Sequence, residues 1–405
     1  MGSDQSSHPL RRLFANPAFL RLWAMGGLAN ATRWVEILVT SVFTFEVTHS
    51  AFAVSLVALM RALPMLLVGA LAGAVAEVLD RRRLLMAGQA LIAASACAII
   101  FLTLTGRIEI WHIGLSMLVS GLVWTGEMAS RRRMLTEAAG EQDMVQAVAL
   151  DSTTANTTRM AGPLIGGLVY ETFGLAAAYA LSAGSALLAL LLLSGVRHSQ
   201  APGRLRPRQV FADIADAVRV VRRYRALTVV ILLTIVVNIF GFCFNAVLPA
   251  LGSETYAATP FQVGILTASE PAGALLTGLF LASRHGVPLR PGLMVAGSAL
   301  FMLCLLLLPL MPSLWLATGM LILAGIGTAL FSALQTALSV TEAPPEARSR
   351  VLGLVTTCIG MAPAGVLTIG ALADALGPGR AISVMASAGL VLLAAIGLLL
   401  RPVRR

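Results

Sequence analysis

Arg33 and Glu36 stand three residues apart in an otherwise apolar run, 19–45. This spacing puts both side chains on one face of a helix. If the helix crosses a membrane from residue 20, Arg33 lies about 13 residues along it, near the middle of a core about 30 Å thick. Charges at that depth normally face the bundle interior and have partners. The pair therefore either lines a central cavity, with Glu36 exchanging protons, or forms a static ion pair that fixes this helix to its neighbours.

Other charged and amide side chains also fall in apolar segments. Arg61 and Glu270 are 209 residues apart, and Arg159 is a third arginine of this kind. Glu36 and Glu270 are the candidate proton-exchanging acids, because no histidine lies within an apolar segment. Four amides could hydrogen-bond a bound molecule or simply a neighbouring helix, which is the commoner use: Asn30, Asn238, Asn245 and Gln335.

Composition requires that most of the chain be solvated by lipid. Of 405 residues, 58% are hydrophobic and only 12% are charged, and the mean hydropathy is +0.86. A spanning helix needs about 20 mostly apolar residues. We therefore predict an all-α membrane protein with twelve transmembrane helices at 20–45, 52–76, 84–104, 110–129, 144–170, 174–194, 226–250, 261–283, 291–311, 313–338, 349–373 and 381–400.

The basic residues indicate the topology. All 29 are arginine, and 24 of them fall on one side of the predicted spans. By the positive-inside rule that side is cytoplasmic, and both termini lie there. The net charge of +10 then reflects orientation and anionic lipid headgroups rather than nucleic acid.

Two similar halves flank a polar linker. Residues 52–69 align with 261–278 without a gap. We expect an N-terminal six-helix bundle at 1–194, a linker at 195–225 and a C-terminal six-helix bundle at 226–405. The second part of the linker is either an amphipathic helix on the inner membrane surface or a simple basic tether.

Several functional classes are not expected. Cysteine and histidine show no metal-ligand spacing, so the sequence predicts no metal and no cofactor. A chain without lysine has no Gly-x-x-x-x-Gly-Lys-Ser/Thr nucleotide loop. No nucleophile–base arrangement appears, and an enzyme is therefore not expected.

The segment GAVAEVLDRRRLLM, 73–86, resembles the Gly-x-x-x-Asp-Arg-x-x-Arg-Arg motif of the major facilitator superfamily. Glu77 replaces the aspartate of that motif, and Val78 replaces its first arginine. The resemblance implies two six-helix bundles with a central site and a charged cytoplasmic gate, although a plain positive-inside cluster is the alternative. The gate residues would be Gly73, Glu77, Asp80, Arg81, Arg82, Glu127 and Asp151.

The predicted fifth span, AVALDSTTANTTRMAGPLIGGL at 147–168, resembles the superfamily branch of the enterobactin exporter and macrolide efflux proteins. Its Gly-Pro-x-x-Gly-Gly block is associated with exporters and allows tight packing against the opposite half, or it is only a packing kink. The resemblance also makes Arg159 a plausible partner of Glu270. The block consists of Gly162, Pro163, Gly166 and Gly167.

The resemblance implies a secondary active transporter that works by alternating access. We expect a proton-coupled exporter of small amphipathic organic molecules, such as a drug or siderophore, in the bacterial inner membrane. Its partners would be a small-molecule substrate, protons and membrane lipids, and a monomer is expected. The alternatives are an importer or lysolipid-moving transporter of the same fold, and a non-transporting membrane receptor.

Overall fold

The chain folds into a series of helices. The computed structural model describes residues 9–196, 207–283 and 290–399. The α-helices in these ranges are α1 (Pro9–Ala15), α2 (Pro17–Thr48), α3 (Ala51–Val78), α4 (Arg81–Leu104), α5 (Ile110–Ser194), α6 (Pro207–Arg223), α7 (Arg225–Val236), α8 (Leu248–Tyr256), α9 (Pro260–Ser283), α10 (Pro291–Leu307), α11 (Leu314–Thr341), α12 (Arg348–Ile359), α13 (Ala362–Leu376) and α14 (Pro378–Leu399).

The longest helix, α5, is divided by two glycines. Gly140 and Gly174 have φ angles of 76° and 78°, a left-handed region that glycine adopts without a Cβ clash. They separate three straight segments, which we name α5a (110–139), α5b (141–173) and α5c (175–194). These segments cover three of the predicted spans.

Within the described ranges, eight helical stretches are long and apolar enough to cross a membrane, and α5 is one of them. The first predicted span falls on α2. The second falls on α3, whose apolar part is the shorter stretch Ala51–Leu67. The helical membrane fold is thus confirmed, and the count of twelve spans stays a prediction.

Local signals fix several helix starts. The Asn16 side chain accepts from the backbone N–H groups of Ala18 and Phe19 at the start of α2. Asp80 accepts from the N–H of Arg83 at the start of α4, and Ser313 does the same at the start of α11. Such side chains satisfy backbone donors that have no partner in the first helical turn.

Packing divides the described residues into two compact units. The first unit comprises the described part of Met1–Val39 and Leu67–Arg206, and the second that of Thr40–Leu66 and Pro207–Arg405. Helices α2 and α3 therefore contribute to both. The core of the first unit includes Phe19 and Leu135, and that of the second includes Phe244 and Phe301. The division into two six-helix bundles with a separate linker remains a prediction.

The path between α7 and α8 is irregular. A π-helical turn, Val237–Gly241, is followed by a 3₁₀ turn, Phe242–Ala246. Within this stretch the backbone carbonyl of Ile239 lies where a Cβ on Gly365 of α13 would be, at 1.9 Å. Only glycine permits that close approach, and the irregular turn fits against α13 in this way.

Candidate functional site

A cleft of about 440 Å³, including the space open to solvent, lies in the first unit. Its walls come from α2, α4 and two segments of α5, because residues three or four apart on each helix share one face. The lining residues are Ala29, Thr32, Arg33, Glu36, Gln89, Ile92, Ser120, Val123, Trp124, Glu127, Ser182, Ser185 and Ala186.

Glu36 is the most enclosed acid of the cleft, with 6% of its surface exposed. Its carboxylate accepts hydrogen bonds from Ser120 Oγ at 3.3 Å and from Ser182 Oγ. These serines lie on α5a and α5c, so three helical segments meet at this carboxylate. A buried carboxylate without such donors would pay the full desolvation penalty of an unsatisfied charged group.

Arg33 lies on the same cleft wall, one helical turn below Glu36. The carbon at the centre of its guanidinium is 4.9 Å from the centroid of the Trp124 ring, a cation–π contact. The structure thus places Arg33 and Glu36 together in a cleft of the first unit, and the expectation that they line a central cavity between two bundles stays a prediction. Their direct pairing and the proton exchange at Glu36 stay predictions.

A charge network adjoins the cleft at Gln89 and Glu127. Arg131 donates to both carboxylate oxygens of Asp151, at 2.7 and 3.2 Å, and its Nε lies 3.6 Å from Glu127. Gln89 Nε2 donates to Glu127 at 3.4 Å. A Cβ on Gly26 would lie 2.2 Å from the Arg131 guanidinium, so glycine there makes room for it.

Sequence reasoning missed Arg131, which it counted only as one of the orienting arginines. The available signal was Glu127 four residues earlier, since such pairs meet on one helix face. Asp151 and Glu127 were predicted in a cytoplasmic gate. In the structure both hold Arg131 within the first unit.

Three other predicted gate residues, Asp80, Arg81 and Arg82, serve helix ends or an ion pair. Asp80 caps α4. Arg81 is buried and donates to Glu137 at 3.1 Å. Arg82 donates to the carbonyls of Leu193 and Ser194 at 3.1 and 2.9 Å, where a cation complements the helix C-terminus. The surroundings of Gly73 and of the Glu77 side chain are not part of what the structure describes.

The Gly-Pro-x-x-Gly-Gly block packs α5b against α2. A Cβ on Gly162 would lie 2.4 Å from Trp34 Cβ, and one on Gly166 would lie 3.1 Å from the Val35 backbone. Pro163 and Gly167 are buried beside them. The sequence predicts that this block packs tightly against the opposite half of the protein or is only a packing kink, and packing against the opposite half stays a prediction. In the structure the two glycines contact α2 of their own unit, because the block faces that helix.

Arg159, one turn before the block, points toward the same helix. Its guanidinium carbon is 5.6 Å from the centroid of the Trp34 ring. Asn30 of α2 donates to Ala155 O at 3.2 Å and to Thr158 Oγ1 at 2.7 Å. These contacts join α2 to α5b. The pairing of Arg159 with Glu270 stays a prediction.

The remaining candidates lie in the second unit. Glu270 is 1% exposed and accepts a hydrogen bond from Thr328 Oγ1 of α11. Arg61, on the part of α3 that belongs to this unit, is partly buried. The structure therefore brings neither residue into the cleft of the first unit.

The three predicted amides of the second unit bond to helices. Asn238 donates to Thr234 O at 2.8 Å, and Gln335 donates to Thr234 Oγ1 at 2.7 Å. Asn245 donates to Phe242 O at 3.2 Å. Only the bond of Gln335 joins two neighbouring helices, because Asn238 and Asn245 bond to carbonyls of their own stretch. A substrate contact of these amides stays a prediction.

Solved structures share this fold. The chain aligns with a point mutant of the nucleoside transporter NupG at a TM-score of 0.69 and 15% identity, covering 95% of this chain and 100% of that one. It aligns with a POT family transporter in complex with 5-aminolevulinic acid at a TM-score of 0.74 and 13% identity, covering 94% and 95%. At these identities the likeness shows the fold alone.

Sequence relatives narrow the family. The chain is 20% identical to macrolide efflux protein A of Streptococcus pyogenes, over 89% of this chain and 90% of the relative. It is 25% identical to the multidrug efflux pump Tap of Mycolicibacterium fortuitum, over 86% and 87%. It is 26% identical to the enterobactin exporter EntS of Escherichia coli O1:K1, over 86% and 82%.

The family profile described as "transmembrane secretion effector", a branch of the major facilitator superfamily, matches residues 9–404. Its members, like these relatives, are membrane transporters rather than enzymes. The match confirms the resemblance drawn from the sequence motifs. The chain belongs to the transmembrane secretion effector family of the major facilitator superfamily and is a multi-pass membrane transporter.

Proposed function

We propose that the protein is a proton-coupled exporter of small amphipathic organic molecules that works by alternating access. It acts in the bacterial inner membrane with both termini in the cytoplasm. The relatives described as efflux proteins and as an exporter support the direction. The arginine distribution supports the orientation.

The observation that carries the coupling is Glu36, buried in the wall of a cleft and bonded to two serine hydroxyls. A hydroxyl is both donor and acceptor, so Ser120 and Ser182 satisfy the carboxylate and the carboxylic acid equally well. Glu36 can therefore take up and release a proton without leaving a buried polar group unpaired.

The cleft wall also fits an amphipathic substrate. Ile92 and Val123 offer apolar contact, and Trp124 offers a ring face. Arg33, Glu36 and Glu127 offer charges on the same wall. A molecule with an apolar body and a polar group meets both kinds of surface. Because Glu36 lies among these groups, substrate and proton share one site, and binding of one changes the affinity for the other.

The test compares Glu36→Gln with Glu46→Gln in proteoliposomes under an imposed pH gradient. Glutamine keeps the shape and the hydrogen bonds of Glu36 but carries no exchangeable proton. Glu46 lies on the same helix and is exposed, so it is the matched control. A macrolide and ethidium serve as transported probes, and a pH-sensitive dye reports proton movement.

We expect wild type and Glu46→Gln to move a probe against its concentration gradient while protons flow in the opposite direction. Glu36→Gln should still bind the probe but should no longer transport it in exchange for protons. Full proton-driven transport by Glu36→Gln would reject the coupling role. Movement of probe and protons in the same direction would replace export by import.

A further inference from the structure

Hydroxyl groups continue from Glu36 toward one end of the first unit. Ser120 and Ser182, which bond Glu36, are followed about one helical turn away by Ser116 and Tyr179 on the same segments. By helix rise, Ser120 lies about 15 Å and Ser116 about 9 Å from the start of α5a, and Tyr179 about 6 Å from the start of α5c. The column thus rises in steps from the carboxylate.

The column approaches the end of the unit that lies away from the arginine clusters. α4 begins with the arginines at 81–83 and ends at Leu104, and α5a begins close by at Ile110 and ends after the arginines at 131–133. Ser95 of α4 donates to Ser116 Oγ at 3.1 Å and extends the column to a third helix. By the positive-inside rule this end faces the outside.

Tyr179 is the unusual member of the column. It is 1% exposed, and its hydroxyl makes no hydrogen bond among the described residues. Ser116 is close enough to affect the phenol, but the pair does not meet hydrogen-bond geometry. Burying a hydroxyl that has no hydrogen-bond partner is unfavourable, so the presence of this phenol in an apolar bundle calls for a role.

The other members also differ from ordinary helix hydroxyls. Serines and threonines in helices commonly donate to the carbonyl four residues earlier. Thr125 and Ser298 do so here, at 2.8 Å in each case. Ser120, Ser182 and Ser95 instead donate to side chains on other helical segments. They form a transverse polar connection rather than local backbone bonds.

We infer that Tyr179, Ser116 and Ser95, with Ser120 and Ser182, form a proton route between Glu36 and the outer end of the first unit. The inference rests on the proposed proton exchange at Glu36. It adds the side of the membrane from which the proton comes and the residues that pass it. An exporter driven by inward proton flow needs such an entry from the outside.

The transfer is balanced at every step. A hydronium ion from the outer water gives its proton to a hydroxyl oxygen of the route, and that hydroxyl releases its own proton to the next acceptor. The route requires a water molecule between those hydroxyls that are one helical turn apart. At the end the ionised carboxylate of Glu36 becomes a carboxylic acid, one water molecule is left outside, and every hydroxyl of the route is restored.

The experiment follows protonation of Glu36 by time-resolved infrared spectroscopy after an acid jump outside proteoliposomes of determined orientation. The carboxylic acid C=O band of Glu36 is the band absent from Glu36→Gln. In Tyr179→Phe we expect the same final amplitude but a rate slower by about 10²-fold, the lower end of what a positioned proton-transfer group contributes. A merely structural role would alter amplitude or stability and leave the rate unchanged.

Two further variants keep the test independent of Tyr179. Ser116→Ala should slow the appearance of the Glu36 carbonyl band. Ser116→Thr, which keeps the hydroxyl, should restore the wild-type rate. Tyr256→Phe is the control, because it removes a phenol that donates to Met311 O at 3.1 Å in the second unit. Wild-type rates in both Tyr179→Phe and Ser116→Ala would overturn the proposed proton route but leave the proposed coupling at Glu36 intact. Absence of the Glu36 band from wild type would overturn the proposed coupling as well.

Discussion

Helices α9 and α11 touch through glycine backbone, and this contact gives a sharp prediction. A Cβ on Gly325 would lie 2.4 Å from the carbonyl oxygen of Glu270 and 2.5 Å from Ala274 N. From the other side, a Cβ on Gly273 would lie 2.0 Å from Ile322 O. Both obstructions are backbone atoms, so relief requires the two helices to separate. We therefore expect Gly325→Ala to destabilise the second unit.

The magnitude follows from two opposing effects. Overpacking a close contact costs about 1–3 kcal/mol, and rigid backbone on the far side favours the upper end. Replacing a mid-helix glycine by alanine stabilises the helix by about 0.5–1 kcal/mol, because alanine loses less conformational freedom on folding. The net loss expected for Gly325→Ala is then about 2 kcal/mol. Gly319→Ala on the same helix is the matched control: a Cβ there meets nothing within 4 Å, so only the gain applies.

Unfolding in mixed micelles of mild detergent and dodecyl sulfate, followed by far-ultraviolet circular dichroism, measures the difference. The midpoint should fall for Gly325→Ala and hold or rise for Gly319→Ala. The shift of the Glu270 carbonyl should also disturb the bond from Thr328 to the Glu270 carboxylate. Equal stability of the two alanine variants would refute the view that α9 and α11 meet at backbone contact.

Two further predictions concern ion pairs of the first unit. The side-chain hydrogen bond from Arg12 holds the pKa of Asp143 in the folded protein below its ordinary value. The pair therefore contributes its full stability above the pKa of the unfolded state, about 4. That contribution is lost as the pH falls through the lowered pKa of the folded state. The difference in melting temperature between wild type and Asp143→Asn should be constant from about pH 7 to about pH 5 and should narrow as the pH falls below about 4. A difference that stays constant below about pH 4 would contradict the linkage. Arg131 donates two hydrogen bonds to Asp151. In a double-mutant cycle of unfolding free energies, Arg131→Gln and Asp151→Asn should therefore show an interaction energy of about 0.5–3 kcal/mol. Additive effects of the two substitutions would show that the pair does not contribute to stability.

The sequence by itself determined that most of the chain is surrounded by lipid, that the fold is all-helical, and which family the chain belongs to. Few charges in a long apolar chain leave lipid as the only medium for most of the surface, and helical spans follow because backbone groups must be satisfied within each segment. The motifs at 73–86 and 147–168 identified the superfamily, and the profile match confirms it. Arg33 and Glu36 stood out because a charge in an apolar span is costly enough to need a reason.

Only the tertiary structure decided which polar groups meet. Ser120 and Ser182 are 62 residues apart in the chain and carry no pattern, yet both reach Glu36. Arg131 looked like an orienting charge until its contacts with Asp151 and Glu127 appeared. The periodicity of apolar residues indicates which face of a helix is buried. It does not indicate which residue of another helix that face contacts. The partner depends on how helices distant in sequence are set against each other, and close glycine contacts such as Gly162 on Trp34 set that register.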